Sequence, residues 1–195
     1  MDFFRQYISP ITLTTRRLTL RRLLVQDAKD MYSYASKECV TEYLLWSPHP
    51  GLSYTEKYLK CLQNEYKKER FFDWAIVYTE EDKMIGTVGF TQLDKENLVA
   101  EIGYVVNPAY AGRGIATEAV GAVLGYAFDT LGMQRVEARY MIGNDASVRV
   151  MEKCGMKKEG ILRSALLVKD VRRDIGICSI LRKEYYDMQG KIGRA

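Results

Sequence analysis

The chain of 195 residues is poor in the side chains that build metal sites. It has one histidine and four cysteines, and no two of the cysteines form a C-x-x-C pair. Structural zinc sites draw their ligands from closely spaced cysteine and histidine residues. We therefore expect no metal site, and we expect free thiols, as is usual in a reducing compartment. The cysteines are Cys39, Cys61, Cys154 and Cys178.

Long hydrophobic runs are also missing. The longest apolar stretch, near residues 120–128, is too short to span a bilayer. Residues 1–11 mix charges, aromatic side chains and Pro10, and lack the basic-then-apolar order of a secretion signal. These two absences predict a cytoplasmic protein with no membrane partner.

The charge is mild, with a formal net value of +4. Four arginines near the start of the chain alternate with leucines, as they would in an amphipathic strand. We therefore expect no direct nucleic-acid contact, apart from docking on ribosomal material. These arginines are Arg16, Arg17, Arg21 and Arg22.

No repeat, linker or low-complexity segment divides the chain, which favours a single domain over residues 1–195 with its core at about 13–185. The pattern predicts strands and helices in an order typical of an α/β protein with a mixed sheet and helices on both faces. The predicted strands cover 18–24, 72–79, 84–93, 98–106, 135–142, 161–168 and 172–182, and the predicted helices cover 27–36, 54–70, 113–131 and 145–154.

A glycine-containing turn lies between the strand 98–106 and the helix 113–131. Gly112 and Gly114 can bring the backbone close to a ligand and can adopt positive φ. The first N–H groups of the helix lack intrahelical partners, and the helix dipole places partial positive charge there. Arg113 adds a cation. The segment therefore predicts a cradle for the phosphates of a ligand.

Two well-known glycine-rich motifs are excluded by spacing. The chain has no Gly, four residues, Gly-Lys-Ser/Thr run, and Thr117 stands where the dinucleotide fingerprint needs its third glycine. A bare G-x-G is a weak signal, which a helix-entry turn would explain equally well.

A second segment, residues 144–156, strengthens the interpretation. Asn144 is a good helix N-cap and Gly155 a good residue for the position after the helix, with Lys153 at the negative end of the dipole. Capping alone does not explain why Ser147 lies one turn inside the helix and points the same way as the cap.

Together the two segments resemble the acetyl-CoA signatures of the GNAT superfamily of N-acetyltransferases, most closely the branch of ribosomal-protein alanine N-acetyltransferases. The first signature, Q/R-x-x-G-x-G/A, is met by Gly114 and Ala116. Ala111 replaces its Gln/Arg, and Met156 replaces the usual aromatic residue of the second signature. That signature, N-x-x-S…E-K-x-G-F, is met by Asn144, Ser147, Glu152, Lys153 and Gly155.

The resemblance covers about residues 13–185 and implies the GNAT fold, a mostly antiparallel, splayed sheet in which the strands 98–106 and 135–142 separate around the pantetheine arm. It implies acetyl-CoA as co-substrate. The cofactor-binding residues that it implies are Val105, Val106, Ala111, Gly112, Arg113, Gly114, Ile115, Ala116, Thr117, Asn144, Ser147 and Lys153.

For catalysis, the resemblance implies direct attack of an amine in a ternary complex. Glu101 is the candidate general base, because small and apolar neighbours would raise the pKa of a carboxylate; alternatively it lies in an ion pair. Glu137 is a weaker candidate. Ser147 takes the role of site contact or acid, since Met151 occupies the position of the tyrosine that many relatives use. The N–H of Val105 or Val106 is the candidate oxyanion donor.

The sequence therefore predicts an acetyl-CoA-dependent N-acetyltransferase acting on a primary amine, as a monomer or homodimer. Without an obvious strong base, a peptide α-amine, with a pKa near 8, is a better acceptor than a lysine, with a pKa near 10.4. A small-molecule amine acetyltransferase and a non-catalytic acyl-CoA-binding module are the alternatives. His49, between two prolines, indicates a surface loop residue.

Overall fold

A computed structural model describes residues 11–68 and 72–192. Eight strands form one sheet, in the spatial order β1-β2-β3-β4-β5-β6-β8-β7. The described pairs β1–β2, β2–β3, β3–β4, β6–β8 and β7–β8 are antiparallel, and β5–β6 is parallel. The strands are β1 (Leu13–Thr14), β2 (Leu18–Arg21), β3 (Phe72–Tyr78), β4 (Lys83–Asp94), β5 (Val99–Val106), β6 (Arg135–Met141), β7 (Lys157–Val168) and β8 (Val171–Leu181).

Six α-helices accompany the sheet in the described part of the chain. Asn144 caps α5 through its side chain, as expected, and α4 continues into a π-helical turn at Tyr126–Thr130. The helices are α1 (Ala28–Ala35), α2 (Glu38–Thr41), α3 (Leu52–Lys67), α4 (Ile115–Gly125), α5 (Asp145–Lys153) and α6 (Arg182–Ile192).

The elements follow the predicted order, with local corrections. The short strand β1, the short helix α2 and the C-terminal helix α6 were not predicted, and β7 begins four residues before the predicted 161. The predicted helix 54–70 runs from Leu52 to Lys67, and positions 69 and 70 lie outside the described residues. All four cysteines are free.

The chain divides into two compact units. The first comprises residues up to Phe90 together with Tyr104–Val123, and the second comprises Thr91–Gly103 and the residues from Leu124 onward. In the first unit, α1 and α3 contribute Tyr34, Leu59 and Tyr66 to a buried cluster that also includes Ala75 of β3 and Met84 of β4. Apolar side chains spaced three and four residues apart on these helices make this packing possible.

The second unit has a core of its own, built around the end of α4 and the strand β6. Phe128 is buried with its ring centroid 4.9 Å from that of Tyr185 in α6, and Val136 and Ala138 of β6 are fully buried. No helix within residues 11–68 and 72–192 combines the length and the hydrophobicity needed to span a bilayer.

Candidate functional site

The predicted phosphate cradle is a surface loop of the first unit. β5 ends at Val106, and Asn107 follows with its side-chain oxygen accepting a hydrogen bond from the N–H of Ala109 at 3.1 Å. Residues 111–114 are exposed, and α4 begins at Ile115. Gly112 has φ 76° and Gly114 has φ 74°, in the left-handed region that glycine adopts without strain. The two glycines therefore meet a conformational requirement of this loop.

Space above the loop is open. A Cβ atom placed on Gly112 would meet no heavy atom within 4 Å, and one on Gly114 would meet only the Arg17 guanidinium, at 3.7 Å. An exposed backbone turn at a helix N-terminus, with open space at Gly112 and a guanidinium near Gly114, fits an anion with several phosphate oxygens.

Arg17, in the segment before β2, contacts this loop. The sequence pattern did not predict this contact. The Nη1 of Arg17 donates to the carbonyl oxygen of Arg113 at 3.0 Å, and its guanidinium forms an ion pair with Glu118 at 2.7 Å. The backbone N–H of Arg17 and the hydroxyl of Thr15 also donate to Glu118, at 2.9 and 2.6 Å. This cluster of Thr15, Arg17 and Glu118, the loop clamp, fixes the first turn of α4 to the segment before β2.

The pKa of Glu118 reflects the clamp. Burial alone would raise the pKa of this carboxyl, but the hydrogen bonds from Thr15 and Arg17 outweigh that effect and lower it below its ordinary value. The carboxylate is therefore charged at neutral pH and forms its ion pair with Arg17.

Arg113 packs on an aromatic ring. Its guanidinium carbon lies 5.2 Å from the ring centroid of Tyr110, within the range of a cation–π contact. The Tyr110 hydroxyl donates a short hydrogen bond to Glu81, which raises the pKa of Tyr110 to about 12. Tyr110 is thus a fixed, neutral platform for the cation at the mouth of the cradle.

Val105 and Val106, the candidate oxyanion donors, lie in the last two positions of β5. Val105 packs against the buried cluster of the first unit. A Cβ on Gly86 of β4 would lie 2.3 Å from the carbonyl oxygen of Val105, so this close approach of the two strands needs a glycine. The assignment of either N–H as the donor stays a prediction.

Glu101 lies in the second unit and has two partners. Its carboxylate accepts a hydrogen bond from the hydroxyl of Thr91 at 2.8 Å and forms an ion pair with Arg139 at 2.8 Å. Glu137, paired with Glu101 across β5 and β6, forms an ion pair with Arg135 at 2.8 Å. This geometry matches the alternative in which Glu101 lies in an ion pair. The role of Glu101 as the general base stays a prediction.

The pairing of β5 with β6 runs from Val99 opposite Arg135 to Ile102 opposite Ala138. Beyond these pairs β5 continues to Val106 and β6 to Met141. The predicted separation of these two strands stays a prediction.

The second signature segment forms the capped helix that the sequence indicates. Asn144 accepts from the N–H of Ser147 at 3.1 Å, Lys153 lies in the last turn of α5, and Gly155 has φ 80°. Met151 is buried, so this position serves the core of the second unit. The contacts of Ser147 and Lys153 with a cofactor stay predictions.

His49 corrects the sequence interpretation. It was expected on the surface, but only 8% of the residue is exposed. Its backbone N–H donates to Ala35 at 2.9 Å, and its Nδ1 lies 2.8 Å from the hydroxyl of Thr55. Its ring contacts those of Trp46, Tyr54 and Tyr58, with centroids 5.3, 5.0 and 5.7 Å away. Burial lowers the pKa of His49 below its ordinary value, so the ring is neutral at pH 7. These four residues form the aromatic wall.

Known proteins identify the family. The profile of the acetyltransferase (GNAT) domain matches residues 17–157, which include β2, the glycine loop, α4 and the capped helix α5. The chain belongs to the GNAT acetyltransferases.

Individual relatives agree with this assignment. The chain is 33% identical over 174 residues to the uncharacterized N-acetyltransferase p20 of Bacillus licheniformis. The alignment covers 89% of this chain and 98% of p20. It is 27% identical over 179 residues to the [ribosomal protein uS5]-alanine N-acetyltransferase of Escherichia coli, with coverages of 88% and 91%. A GNAT-family acetyltransferase structure from Bacillus anthracis superposes with a TM-score of 0.79 at 26% identity, covering 89% of this chain and 99% of that one.

This GNAT protein is thus an N-acetyltransferase with the GNAT fold.

The glycine spacing and the cap at Asn144 were visible in the sequence because each depends on a residue type at one local position. The loop clamp was not visible, since Arg17 and Glu118 are 101 residues apart. The described residues contain no cluster of three or more potential metal ligands.

Proposed function

We propose that the protein transfers the acetyl group of acetyl-CoA to a primary amine by direct attack of the amine in a ternary complex. The observation that carries this proposal is the exposed loop 111–114, with two glycines at positive φ and open space at Gly112. The backbone N–H groups at the start of α4 and the side chain of Arg113 would hold the pyrophosphate. When bound, acetyl-CoA supplies an acetyl group activated as a thioester.

The chain's own residues take the remaining roles in this proposal. Glu101 accepts the proton of the amine, directly or through a water molecule. The N–H of Val105 or Val106 donates a hydrogen bond to the acetyl oxygen as negative charge develops there. Ser147 supplies or relays a proton to the departing sulfur. No cysteine is needed, since the amine itself is the nucleophile.

For the acceptor, we propose a peptide or protein N-terminal α-amine. A pKa near 8 means that neutralising such an amine at pH 7 costs only ~1.4 kcal/mol, against roughly 4–5 kcal/mol for a lysine. The similarity to the uS5-alanine N-acetyltransferase supports this choice. Small amines are the second candidate, and thiol release from acetyl-CoA in a panel of both classes separates the two.

Substitution of Gly112 tests the cradle. Gly112→Ala places a methyl group above the loop and disfavours its positive φ, at a cost of about 1–2 kcal/mol. We expect acetyl-CoA affinity, measured by calorimetry, to fall at least about tenfold, as loss of ~1.4 kcal/mol would produce. Gly121→Ala in α4 is the matched control, because Gly121 also has free space but no positive φ. Unchanged affinity in Gly112→Ala would refute the loop assignment.

A thermal shift checks the ligand class independently. A ligand present at a hundred times its dissociation constant stabilises a protein by about 2.7 kcal/mol, which moves Tm by a few degrees. We expect a shift with acetyl-CoA and CoA and none with ATP or NAD. A protein unaffected by either CoA species would contradict the proposal.

A further inference from the structure

The turn between β3 and β4 reaches the glycine loop 111–114. Glu81 lies in this turn, and the hydroxyl of Tyr110 donates a short hydrogen bond to its carboxylate. Arg17 joins the same two segments, since its carbonyl oxygen accepts the N–H of Thr79 at 3.0 Å and its Nη1 donates to the carbonyl oxygen of Arg113 at 3.0 Å. All of these residues belong to the first unit. The turn therefore lies beside the residues that lead into α4.

Tyr110 is held at its backbone and at its hydroxyl. Its N–H donates to the carbonyl oxygen of Asn107 at 2.9 Å, in the short helical turn that follows β5. The residue is buried, and its ring centroid lies 5.7 Å from that of Tyr78. Glu81 holds the hydroxyl at the far end of the ring. These contacts set the position of the ring on which the Arg113 guanidinium lies, 5.2 Å from the centroid.

The two arginines at the loop differ in their partners. The guanidinium of Arg17 forms an ion pair with Glu118 at 2.7 Å and also donates to the carbonyl oxygen of Arg113. The guanidinium of Arg113 lies on the ring of Tyr110 and forms no ion pair with a carboxylate of the described residues. Residue 113 is exposed. Because an arginine has five N–H donors and a ring face uses none of them in its plane, Arg113 has donors left for an anionic ligand.

We infer that Glu81 and Tyr110 are positioning residues for the co-substrate. They hold the Arg113 guanidinium at the mouth of the cradle, and through it they strengthen binding of the ligand's phosphates. The inference rests on the proposed function for the identity of the ligand, acetyl-CoA, and on the contacts of the first unit for the position of the cation. Both residues lie outside the two signature segments, so the signatures alone would not identify them.

Calorimetry of acetyl-CoA binding to the full chain tests the inference. We expect Tyr110→Leu, which removes the ring, to weaken binding about two- to fivefold, the loss that an exposed cation–π contact produces. Glu81→Ala should weaken binding in the same direction, and because residue 81 is exposed this variant decides the matter if Tyr110→Leu fails to fold. Glu80→Ala is the matched control, since the Glu80 carboxylate accepts from Tyr78 instead.

The sign of the change separates positioning from simple electrostatics. Removing a carboxylate near an anion site reduces like-charge repulsion, so charge alone predicts equal or tighter binding for both Glu80→Ala and Glu81→Ala. Under the inference, Glu81→Ala binds acetyl-CoA more weakly and Glu80→Ala does not. The Arg113→Met background adds a second readout. There, Tyr110→Leu and Glu81→Ala should cause no further loss, whereas a merely structural role would weaken binding with or without the guanidinium.

The results distinguish this inference from the proposed function. Unchanged or tighter binding in Glu81→Ala overturns the inference, and so does a loss that persists in the Arg113→Met background. If amines are acetylated in that case, the proposed function still stands. If both variants lose affinity only when Arg113 is present but no amine is acetylated, the inference stands and the proposed function fails. A wild-type protein that does not bind acetyl-CoA overturns both.

Discussion

Replacing Asp73 by asparagine should stabilise the folded protein above neutral pH. Burial raises the pKa of Asp73 from its ordinary value of 3.8 to about 7. Because the folded pKa lies above the unfolded one, the folded state binds the proton more tightly. Ionising Asp73 therefore destabilises the fold, progressively from about pH 4 to about pH 7, and the penalty is constant at higher pH.

The size of the effect follows from these values. Each pH unit between the two pKa values is worth ~1.4 kcal/mol, so the ceiling is about 4 kcal/mol, and the contact of Asp73 with solvent reduces it. We expect a gain between ~1 and ~4 kcal/mol for Asp73→Asn at pH 8 and a gain near zero at pH 4. In this pH range Tyr34, Tyr58 and Tyr66 in the helices of the same unit stay neutral, since burial raises their pKa values.

Urea unfolding of both proteins at pH 4, 5, 6, 7 and 8 measures this difference directly. The difference in unfolding free energy should rise with pH and level off above pH 7. A difference that is constant with pH, or that falls as pH rises, would show that the carboxylate is solvated or paired in solution. Glu96→Gln should show no such trend, because its side chain is exposed.

Three further substitutions test the other parts of the site. Arg17→Ala should weaken acetyl-CoA binding about tenfold and lower the unfolding free energy by about 1–3 kcal/mol, because it leaves Glu118 partly buried without its cation. Arg16→Ala, at an exposed position, is the control, and equal effects of the two substitutions would refute the clamp. Glu101→Gln should lower kcat about 100-fold at pH 7, whereas Glu137→Gln should not; an unaltered rate and pH profile would remove Glu101 as the base. Ser147→Ala should reduce kcat with little loss of folding free energy, since its N–H still reaches Asn144; full activity would exclude a proton-donating role.

Local sequence rules predicted much of the fold and of the glycine loop. Gly112 and Gly155 lie where the backbone needs positive φ, and Asn144 lies where a helix needs a cap, so one residue suffices to predict each feature. The alternation predicted for β5 agrees with the burial of Ala100 and Ile102 between less buried neighbours, whereas in β3 all residues from Trp74 to Val77 are buried.

Features that depend on tertiary contacts were not predictable in this way. Two prolines around His49 indicate a loop correctly, but only the contacts of His49 with α1 and α3 explain why this one residue of the loop is buried. In the sequence, Asp73 is an ordinary polar residue of a strand. The position of its carboxylate depends on Gly89, sixteen positions later on the neighbouring strand. Long-range pairs such as these carry no periodic signal in the sequence.

The loop clamp also has a kinetic consequence. Arg17 and Glu118 are separated by 101 positions, so their contact closes a long stretch of chain. Contacts of such high sequence separation form late in folding when they lie outside the nucleus. The glycine loop would then acquire its order only after the rest of the first unit has assembled, so the proposed cradle would form at the end of folding. Slow amide hydrogen exchange of the Arg17 backbone N–H, appearing after that of β3 during refolding, would record this step.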